Sequence, residues 1–271
     1  MRVNIKNSNR LAKTIKKLTG ESLNTPITGI TTDSRSCEPG DLYVALTGIR
    51  SDGHQYINEV QRKKASAALV SELNANQNNK MKHILVKDTR RTLGLIANTW
   101  RKNFNIPIIA ITGSNGKTST KELLNHVLNK RYNVHATQGN YNTSIGLPLS
   151  LLEIDKYHDI SIIEMGANQP GDIQYLCDIA DPTHGLITNI SSAHLEGFQS
   201  VKNILKAKSA LFRHLNKGIA YVNYADERLR SIKIEGEKIT YGLNAECDFP
   251  ADIHHDDDGS IVLIIDSKED S

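Results

Sequence analysis

The feature that most constrains this chain is an apolar run that stops at a glycine-bounded loop and continues into a helical pattern. The run covers Ile108–Thr112, and the loop after it reads Gly-Ser-Asn-Gly-Lys-Thr-Ser-Thr over residues 113–120. The backbone N–H groups of such a loop, together with the positive end of the following helix, form an anion-binding site. The sequence therefore predicts a buried strand, a phosphate-binding loop and a helix that extends through Arg131.

The loop does not match the standard Walker A pattern. That pattern has four residues between its first glycine and the Gly-Lys pair, and Ile111 occupies the position of that glycine here. The observed spacing is Gly113-x-x-Gly116-Lys117-Thr118. The apolar strand before the loop and the helix after it favour phosphate binding over a chance glycine-rich turn. We expect Lys117 to contact the β- and γ-phosphates and Thr118 to ligate Mg2+.

Composition excludes several classes of protein. The chain has 271 residues, of which 38% are hydrophobic and 23% charged, and its net charge is +3. These values are typical of a globular protein of one large or two modest domains, and they give no reason to expect a nucleic-acid partner. The first residues lack the apolar core of a signal peptide, and the three cysteines form no metal or disulfide pattern. We expect a cytoplasmic monomer that acts on small molecules and has no membrane insertion.

Residues 1–87 are predicted to form a small N-terminal α/β domain. The pattern predicts helices over residues 9–20 and 55–65, and strands over residues 27–32, 42–46, 67–70 and 84–86. Two polar loops, Asp33–Arg35 and Gly48–His54, each follow a predicted strand. Because α/β domains bind ligands at the ends of strands, these loops are candidate binding segments.

Residues 88–271 are predicted to form a larger domain that contains the phosphate loop. After a helix over residues 88–104, strands alternate with helices. Strands are predicted over residues 108–112, 134–137, 160–164, 185–189 and 219–223, and helices near residues 145–152, 171–180, 200–214 and 226–232. Short strands follow over residues 238–241, 252–255 and 261–266. This alternation predicts a mainly parallel sheet with helices on both faces.

Several polar residues follow strands of this predicted sheet. Glu164 ends an apolar strand that lies in the same sheet as the phosphate loop, so we interpret it as a Mg2+ ligand rather than a surface or helix-capping acid. His194 follows the next strand, and Lys206 and Lys208 lie on the helix after it. From the residues alone, these three side chains are only polar groups near a nucleotide. The same holds for the polar loop at 140–143.

At this point the motifs resemble those of a known family. The loop at 113–119 resembles the ATP-binding loop of the Mur ligase family, whose spacing departs from Walker A in the same way. Three further stretches support the resemblance: TQGNYNTSIGLP at 137–148, EMGANQPG at 164–171 and AHLEGF at 193–198. Together they are more similar to the members that add D-alanyl-D-alanine than to those that add diaminopimelate or lysine. Patterns at 32–35, 39–41 and 52–54 are shared by both groups.

The resemblance implies an ATP-dependent peptide ligase of peptidoglycan synthesis. In such a reaction ATP phosphorylates the terminal carboxylate of UDP-N-acetylmuramoyl-tripeptide, and the amine of D-Ala-D-Ala attacks the acyl phosphate. Two Mg2+ ions are implied, the first held by Thr118 and Glu164 and the second by His194. Lys208 matches the position of the family's carbamylated lysine and would also be a metal ligand. The implied catalytic residues are Lys117, His194 and Lys208.

The resemblance also implies two sets of contacts with small molecules. ATP would contact Gly113, Ser114, Asn115, Gly116, Lys117, Thr118 and Ser119. The UDP-linked substrate would contact Ser34, Arg35, Asp52, His54, Asn140, Asn142 and Thr143.

One departure from the family is expected to matter. Family members carry a third, C-terminal domain, whereas the pattern here ends in short strands and a polar tail. We expect the chain to be the N-terminal and central portion of such a ligase, with an incomplete ligation site. The alternatives are the sibling ligase that adds the third peptide residue, a non-catalytic module that binds ATP or a UDP-sugar, and a P-loop NTPase switch. A P-loop NTPase switch would leave the loops at 33–35 and 52–54 without a role.

Overall fold

The computed structural model describes residues 1–48, 51–73, 81–192, 195–243, 246–256 and 260–265, except the side chains of Leu195 and Glu196. The chain divides into two compact units. The first consists of Met1–Ile106, Thr137–His158 and Asp178–Ala180, and the second of Pro107–Ala136, Asp159–Cys177 and Asp181–Ser271. The first unit thus extends past residue 87, where the sequence placed the boundary. A division of substrate and ATP binding between domains 1–87 and 88–271 remains a prediction.

The secondary structure elements follow the predicted order. The strands are β1 Arg2–Asn4, β2 Gly29–Thr31, β3 Asp41–Val44, β4 Ala67–Val70, β5 Lys82–Leu85, β6 Ile108–Thr112, β7 Val134–Ala136, β8 Ile160–Glu164, β9 His184–Ile187, β10 Ile219–Asn223, β11 Glu237–Gly242, β12 Phe249–His255 and β13 Ile261–Ile265. The helices are α1 Ser8–Thr19, α2 Ile57–Arg62, α3 Thr89–Arg101, α4 Lys117–Leu128, α5 Gly146–Leu152, α6 Asp172–Ala180, α7 Leu195–Phe198, α8 Val201–Lys208, α9 Ala210–His214 and α10 Glu227–Arg230.

Some details differ from the sequence prediction, among them the unpredicted short helix α7. The predicted helix over 55–65 is a 3-10 turn at Gly53–Tyr56 followed by α2, and the helix predicted over 200–214 divides into α8 and α9. Strand β1 was missed by the prediction, although residues 1–6 alternate between apolar and polar and the side chains of Val3 and Ile5 are buried. Its pairing with β2 is a tertiary event.

The first unit contains a five-stranded sheet in the order β1-β2-β3-β4-β5, in which only β1 runs antiparallel. Helix α3 packs on α1 and α5. On α3, Trp100 is 2% exposed and its Nε1 donates to the carbonyl of Ile154 at 2.9 Å. The indole therefore packs inside the unit, as the helical pattern predicted.

The second unit contains an eight-stranded sheet in the order β13-β12-β11-β10-β9-β6-β8-β7. All its pairs are parallel except β12–β13, so the predicted mainly parallel sheet is confirmed. Strand β6 lies between β9 and β8, and its register pairs Ile111 with Glu164 on one side and Leu186 on the other. The carboxyl ends of these three strands therefore meet at one edge of the sheet, where open α/β sheets place their ligands.

Helices of this protein are short compared with a bilayer. The longest helix in the described part of the chain is α3, with 13 residues, whereas a membrane-spanning helix needs about 20 apolar residues. None of the helices that the structure describes has the length and apolar character to cross a membrane.

Candidate functional site

The phosphate loop connects β6 to α4 and depends on two glycines. Gly113 has φ +147°, and a Cβ on it would overlap the hydroxyl of Thr188. Gly116 has φ +77° with no atom within 4 Å of a Cβ position, so its backbone conformation alone favours glycine there. The loop is therefore held close to the neighbouring strand at its start and curves through a left-handed residue into the helix.

The middle of the loop is hydrogen-bonded to the segment that follows β9. The backbone N–H of Ser114 donates to the carbonyl of Asn189 at 2.9 Å, and Ser191 N donates to Ser114 Oγ at 2.9 Å. Asn115 N donates to Asn189 Oδ1 at 3.2 Å, while the Asn115 carbonyl accepts from Thr188 Oγ1 at 2.6 Å and from Asn189 Nδ2 at 3.1 Å. The loop conformation is thus set by residues more than 70 positions away.

Two lysine side chains converge on the carbonyl of Gly113. Lys117, the first residue of α4, donates to Gly113 O at 3.0 Å and to Ser114 O at 3.3 Å. Lys208, at the end of α8, donates to the same Gly113 oxygen at 2.9 Å and is only 2% exposed. Burial and the charge of Lys117 lower the pKa of Lys208 to about 8. The concentrated positive charge at the loop suits a polyphosphate.

A hydroxyl and a carboxylate meet beside these lysines. Thr118 Oγ1 donates to Glu164 Oε2 at 2.9 Å, and Glu164 is 2% exposed at the carboxyl end of β8. Both oxygens are hard donors, and a hydroxyl with a carboxylate is the donor set that Mg2+ uses beside bound phosphates. The residues present therefore fit the magnesium ion that the sequence predicted here. His194, predicted to bind a second ion, lies outside the described residues.

The lowered pKa of Lys208 predicts a pH-dependent stability. Between about pH 8 and 10.5 the unfolded chain keeps this proton and the folded chain loses it. The free energy of unfolding should therefore rise with pH across that window, by about 3 kcal/mol. Urea unfolding at several pH values, in buffer purged of the CO2 that reacts with neutral amines, measures this for wild type and for Lys208→Met.

The variant should lack the rise, because it has no titrating group at this position. The exposed Lys202 lies on the same helix α8, so Lys202→Met serves as the control and should behave as the wild type. If the free energy of unfolding changed with pH by the same amount in the wild type and in Lys208→Met, the assigned pKa would be contradicted.

The first unit has a separate cavity of about 610 Å3. Its wall includes Ser34, Arg35 and Thr143, three of the residues predicted to contact the UDP-linked substrate. Asn140 and Asn142 belong to the same segment as Thr143 but do not line this cavity. The structure thus brings the loop after β2 and the segment before α5 to one concave surface of this unit.

The turn at 33–35 is shaped by its own ion pair. Arg35 donates from Nε and Nη2 to both carboxylate oxygens of Asp33 at 2.7–3.2 Å, and this holds the pKa of Asp33 down at about 2. Ser34 Oγ donates to Glu59 Oε2 at 3.0 Å, and Lys63 Nζ donates to the Ser34 carbonyl at 2.7 Å. The turn is therefore preformed, and the Arg35 charge is already balanced.

Asp52 and His54 hold the second loop together. Asp52 Oδ1 accepts from the backbone N–H of His54 at 3.0 Å and lies 2.6 Å from its Nδ1, while Ser71 N donates to His54 Nε2 at 2.9 Å. Because Nε2 accepts a hydrogen bond, the ring is assigned as neutral with its proton on Nδ1. His54 is 2% exposed, so its imidazole braces the loop. A direct substrate contact for either residue remains a prediction.

Sequence reasoning missed other residues of this cavity. Arg90, the second residue of α3, is exposed and lines the cavity, and no ion pair joins it to any acidic residue in the described part of the chain. Tyr43 and Tyr56 also line it, and Tyr43 Oη donates to the Gly53 carbonyl at 3.0 Å. Arg90 falls within the helix predicted over residues 88–104, to which no binding role was assigned. Its position directly after the connection from β5 was the only available indication of a site.

Most of the chain matches the sequence models of one protein family. Residues 111–271 match the Mur ligase middle domain, and residues 26–101 match the Mur ligase family catalytic domain. The UDP-N-acetylmuramoyl-tripeptide–D-alanyl-D-alanine ligase of Synechocystis sp. is 39% identical over 246 residues, which cover 88% of this chain and 52% of the relative. The chain spans about half the length of the curated relatives it matches.

Two solved structures are similar in fold. A crystal structure of MurF from Acinetobacter baumannii superposes with a TM-score of 0.88 at 30% identity, covering 98% of this chain and 60% of that chain. A crystal structure of the Thermotoga maritima MurF ligase in complex with ADP gives a TM-score of 0.80 at 33% identity, covering 88% of this chain and 55% of that chain. Both similarities extend over the two units described above.

Proposed function

We infer the function of this chain from one premise: it belongs to the Mur ligase family, whose middle domain matches more than half of its residues. We propose that it contains the ATP-binding and UDP-substrate-binding units of a ligase that adds D-alanyl-D-alanine to UDP-N-acetylmuramoyl-tripeptide in peptidoglycan synthesis. The observation that carries this proposal is the meeting of Lys117, Lys208 and the Thr118–Glu164 pair at one phosphate loop. The relatives of this name support the choice of substrate.

The proposed reaction begins with attack of a carboxylate on the γ-phosphate of ATP. Both groups are anionic, so the site must neutralise charge as the new bond forms. Lys117 would exchange its carbonyl partners for the β- and γ-phosphate oxygens, and the loop N–H groups would bind the phosphates. Thr118 and Glu164 would hold Mg2+, which when bound polarises the phosphoryl oxygens. The acyl phosphate then accepts the amine of D-Ala-D-Ala, and inorganic phosphate leaves.

Lys208 is proposed to act as a carbamate rather than as an ammonium group. A neutral amine adds to CO2 and loses a proton, which gives an anionic oxygen donor in place of a cation. Burial at 2% exposure and the lowered pKa favour the neutral amine that this addition requires. The carbamate would hold the second Mg2+ together with His194.

The cavity of the first unit is proposed to bind the UDP end of the substrate. The Arg90 guanidinium is available for the diphosphate, and the hydroxyls of Ser34 and Thr143 can hydrogen-bond the sugar or phosphate oxygens. Arg35 contributes less charge because Asp33 neutralises it. We place the reaction in the cytoplasm, where ATP and UDP-linked precursors are available.

Two measurements test this function on the 271-residue chain. Calorimetry with Mg2+–ADP and with UDP-N-acetylmuramoyl-tripeptide should detect one site for each. Any phosphate release from ATP should depend on both the tripeptide substrate and D-Ala-D-Ala, and robust release would contradict the expected incompleteness of the ligation site. Release that depends instead on a diamino acid and the UDP-dipeptide would indicate the sibling ligase.

Two further outcomes concern ligand binding in the absence of phosphate release. Binding of both ligands without phosphate release would support either the expected incomplete ligation site or a non-catalytic module that binds ATP and a UDP-sugar. Absence of binding to either ligand would contradict the proposed function.

A further inference from the structure

The Asn115 carbonyl lies in the middle of the phosphate loop and faces the end of β9. Two side chains donate to it, Thr188 Oγ1 at 2.6 Å and Asn189 Nδ2 at 3.1 Å. Asn189 also accepts from Asn115 N through Oδ1 at 3.2 Å, so its amide contacts both polar groups of the Asn115 backbone. Thr188 is 8% exposed, so its hydroxyl makes this contact in a mostly desolvated position.

The direction of this carbonyl determines the direction of the next N–H group. In a trans peptide the C=O of one residue and the N–H of the following residue point in opposite directions. Because the Asn115 oxygen is held toward β9, the N–H of Gly116 points to the open side of the loop. Asn115 and Gly116 are both exposed, so the loop is open to an approaching phosphate.

Local sequence does not impose this orientation. Gly116 adopts φ +77°, and because glycine has no Cβ it can populate this and other backbone conformations at little steric cost. A flipped Asn115–Gly116 peptide would place a carbonyl oxygen, with its negative partial charge, against the phosphates. Some contact from outside the loop must therefore select the orientation that binds anions.

We propose that Thr188 and Asn189 are positioning residues for the nucleotide: they clamp the Asn115–Gly116 peptide so that its N–H faces the phosphates. This inference rests on the proposed nucleotide site and adds two residues to it. Neither side chain is expected to contact the nucleotide. Their effect is transmitted through the Asn115 carbonyl, so it should change the binding of the phosphates and leave the binding of the base and the ribose unchanged.

The test compares ADP with adenosine, because adenosine lacks the phosphates that the loop would bind. Thr188→Val removes the hydroxyl at constant volume and should weaken ADP binding about tenfold. Asn189→Asp removes the donor to the Asn115 carbonyl and sets a carboxylate near it, so its loss should be larger. Adenosine affinity, measured by the same calorimetric titration, should be unchanged in both variants.

Matched variants distinguish an effect on the orientation of the phosphate loop from a general loss of protein stability. Thr183→Val makes the same substitution just before β9, at the end of the strand opposite Thr188, where the Thr183 hydroxyl accepts from Ile108 N at 3.0 Å. It should retain wild-type ADP affinity, and so should Thr188→Ser, which keeps the donor. Circular dichroism checks that each variant is folded. If Thr188→Val does not fold, the ADP affinity of Asn189→Asp tests the proposal instead.

Several results would overturn the proposal. These are unchanged ADP affinity in both variants, equal losses for ADP and adenosine, or a Thr188→Ser loss as large as that of Thr188→Val. If the wild type bound ADP no more tightly than adenosine, the nucleotide site of the proposed function would itself be wrong. That result is distinguishable because it appears before any substitution is made.

Discussion

Replacing Lys117 with alanine is expected to weaken ADP binding on the order of a hundredfold and, in the full-length enzyme, to remove most ATP-dependent phosphate release. The ammonium group of Lys117 lies at the start of α4, 3.0 Å from the Gly113 carbonyl, and is the cation best placed to reach a phosphate in the loop. Loss of a charge-assisted contact in a partly buried site costs more than loss of a neutral hydrogen bond. Calorimetric titration with ADP measures the affinity, and a phosphate assay measures the release.

The control for this substitution is Lys130→Ala. Lys130 is exposed just beyond the end of α4 and carries the same charge, so its removal changes the net charge equally without changing the loop. Wild-type ADP affinity in Lys117→Ala would refute the role of the phosphate loop. An equal loss in Lys130→Ala would show that the effect comes from long-range charge alone.

Replacing Glu164 with glutamine is expected to abolish the dependence of ADP affinity on Mg2+. The amide keeps the volume of the side chain, and its oxygen can still accept the hydroxyl of Thr118, which donates to Glu164 at 2.9 Å in the wild type. Only the negative charge is lost, and Mg2+, which keeps several of its waters, is held by proteins through one or two carboxylates together with phosphate oxygens. The wild type should bind ADP at least about tenfold more tightly with Mg2+ than without it.

The measurement is a set of ADP titrations at increasing Mg2+ concentration. Glu227→Gln provides the control, because the Glu227 side chain is 87% exposed and far along the chain from the loop. It should retain the full Mg2+ dependence. Retained dependence in Glu164→Gln would remove Glu164 from the proposed metal site.

Much of the fold could be predicted because its signals are local. Strands β6, β8 and β10 have the predicted bounds, since each is a short segment of mainly apolar, β-branched or aromatic residues between polar segments. Helix α1 ends where Gly20 adopts a left-handed conformation, and α3 begins where Asp88 caps it. Strand β1 was missed although residues 1–6 alternate between apolar and polar; this alternation could not show the antiparallel pairing with β2.

The candidate site also contains features that the local sequence predicted and features that only the folded chain shows. The spacing of Gly113, Gly116 and Lys117 indicated a phosphate loop, and the position of Glu164 at a strand end placed it at the same sheet edge. The sequence could not show that Arg35 is neutralised by Asp33, that the His54 ring is buried, or that Arg90 lines the cavity. Each of these depends on which side chains meet after folding. His194 stays a prediction because it lies outside the described residues.

The sequence by itself determined the phosphate loop, the mainly parallel sheet and the family, because periodicity, glycine spacing and motif order are carried by neighbouring residues. Only the tertiary structure decided how the loop is held. The Lys208 ammonium reaches the Gly113 carbonyl across 95 positions, and Thr188 reaches the Asn115 carbonyl across 73. Such contacts exist because parallel strands bring their carboxyl ends to one edge of the sheet, and chain order alone does not specify which side chains meet there.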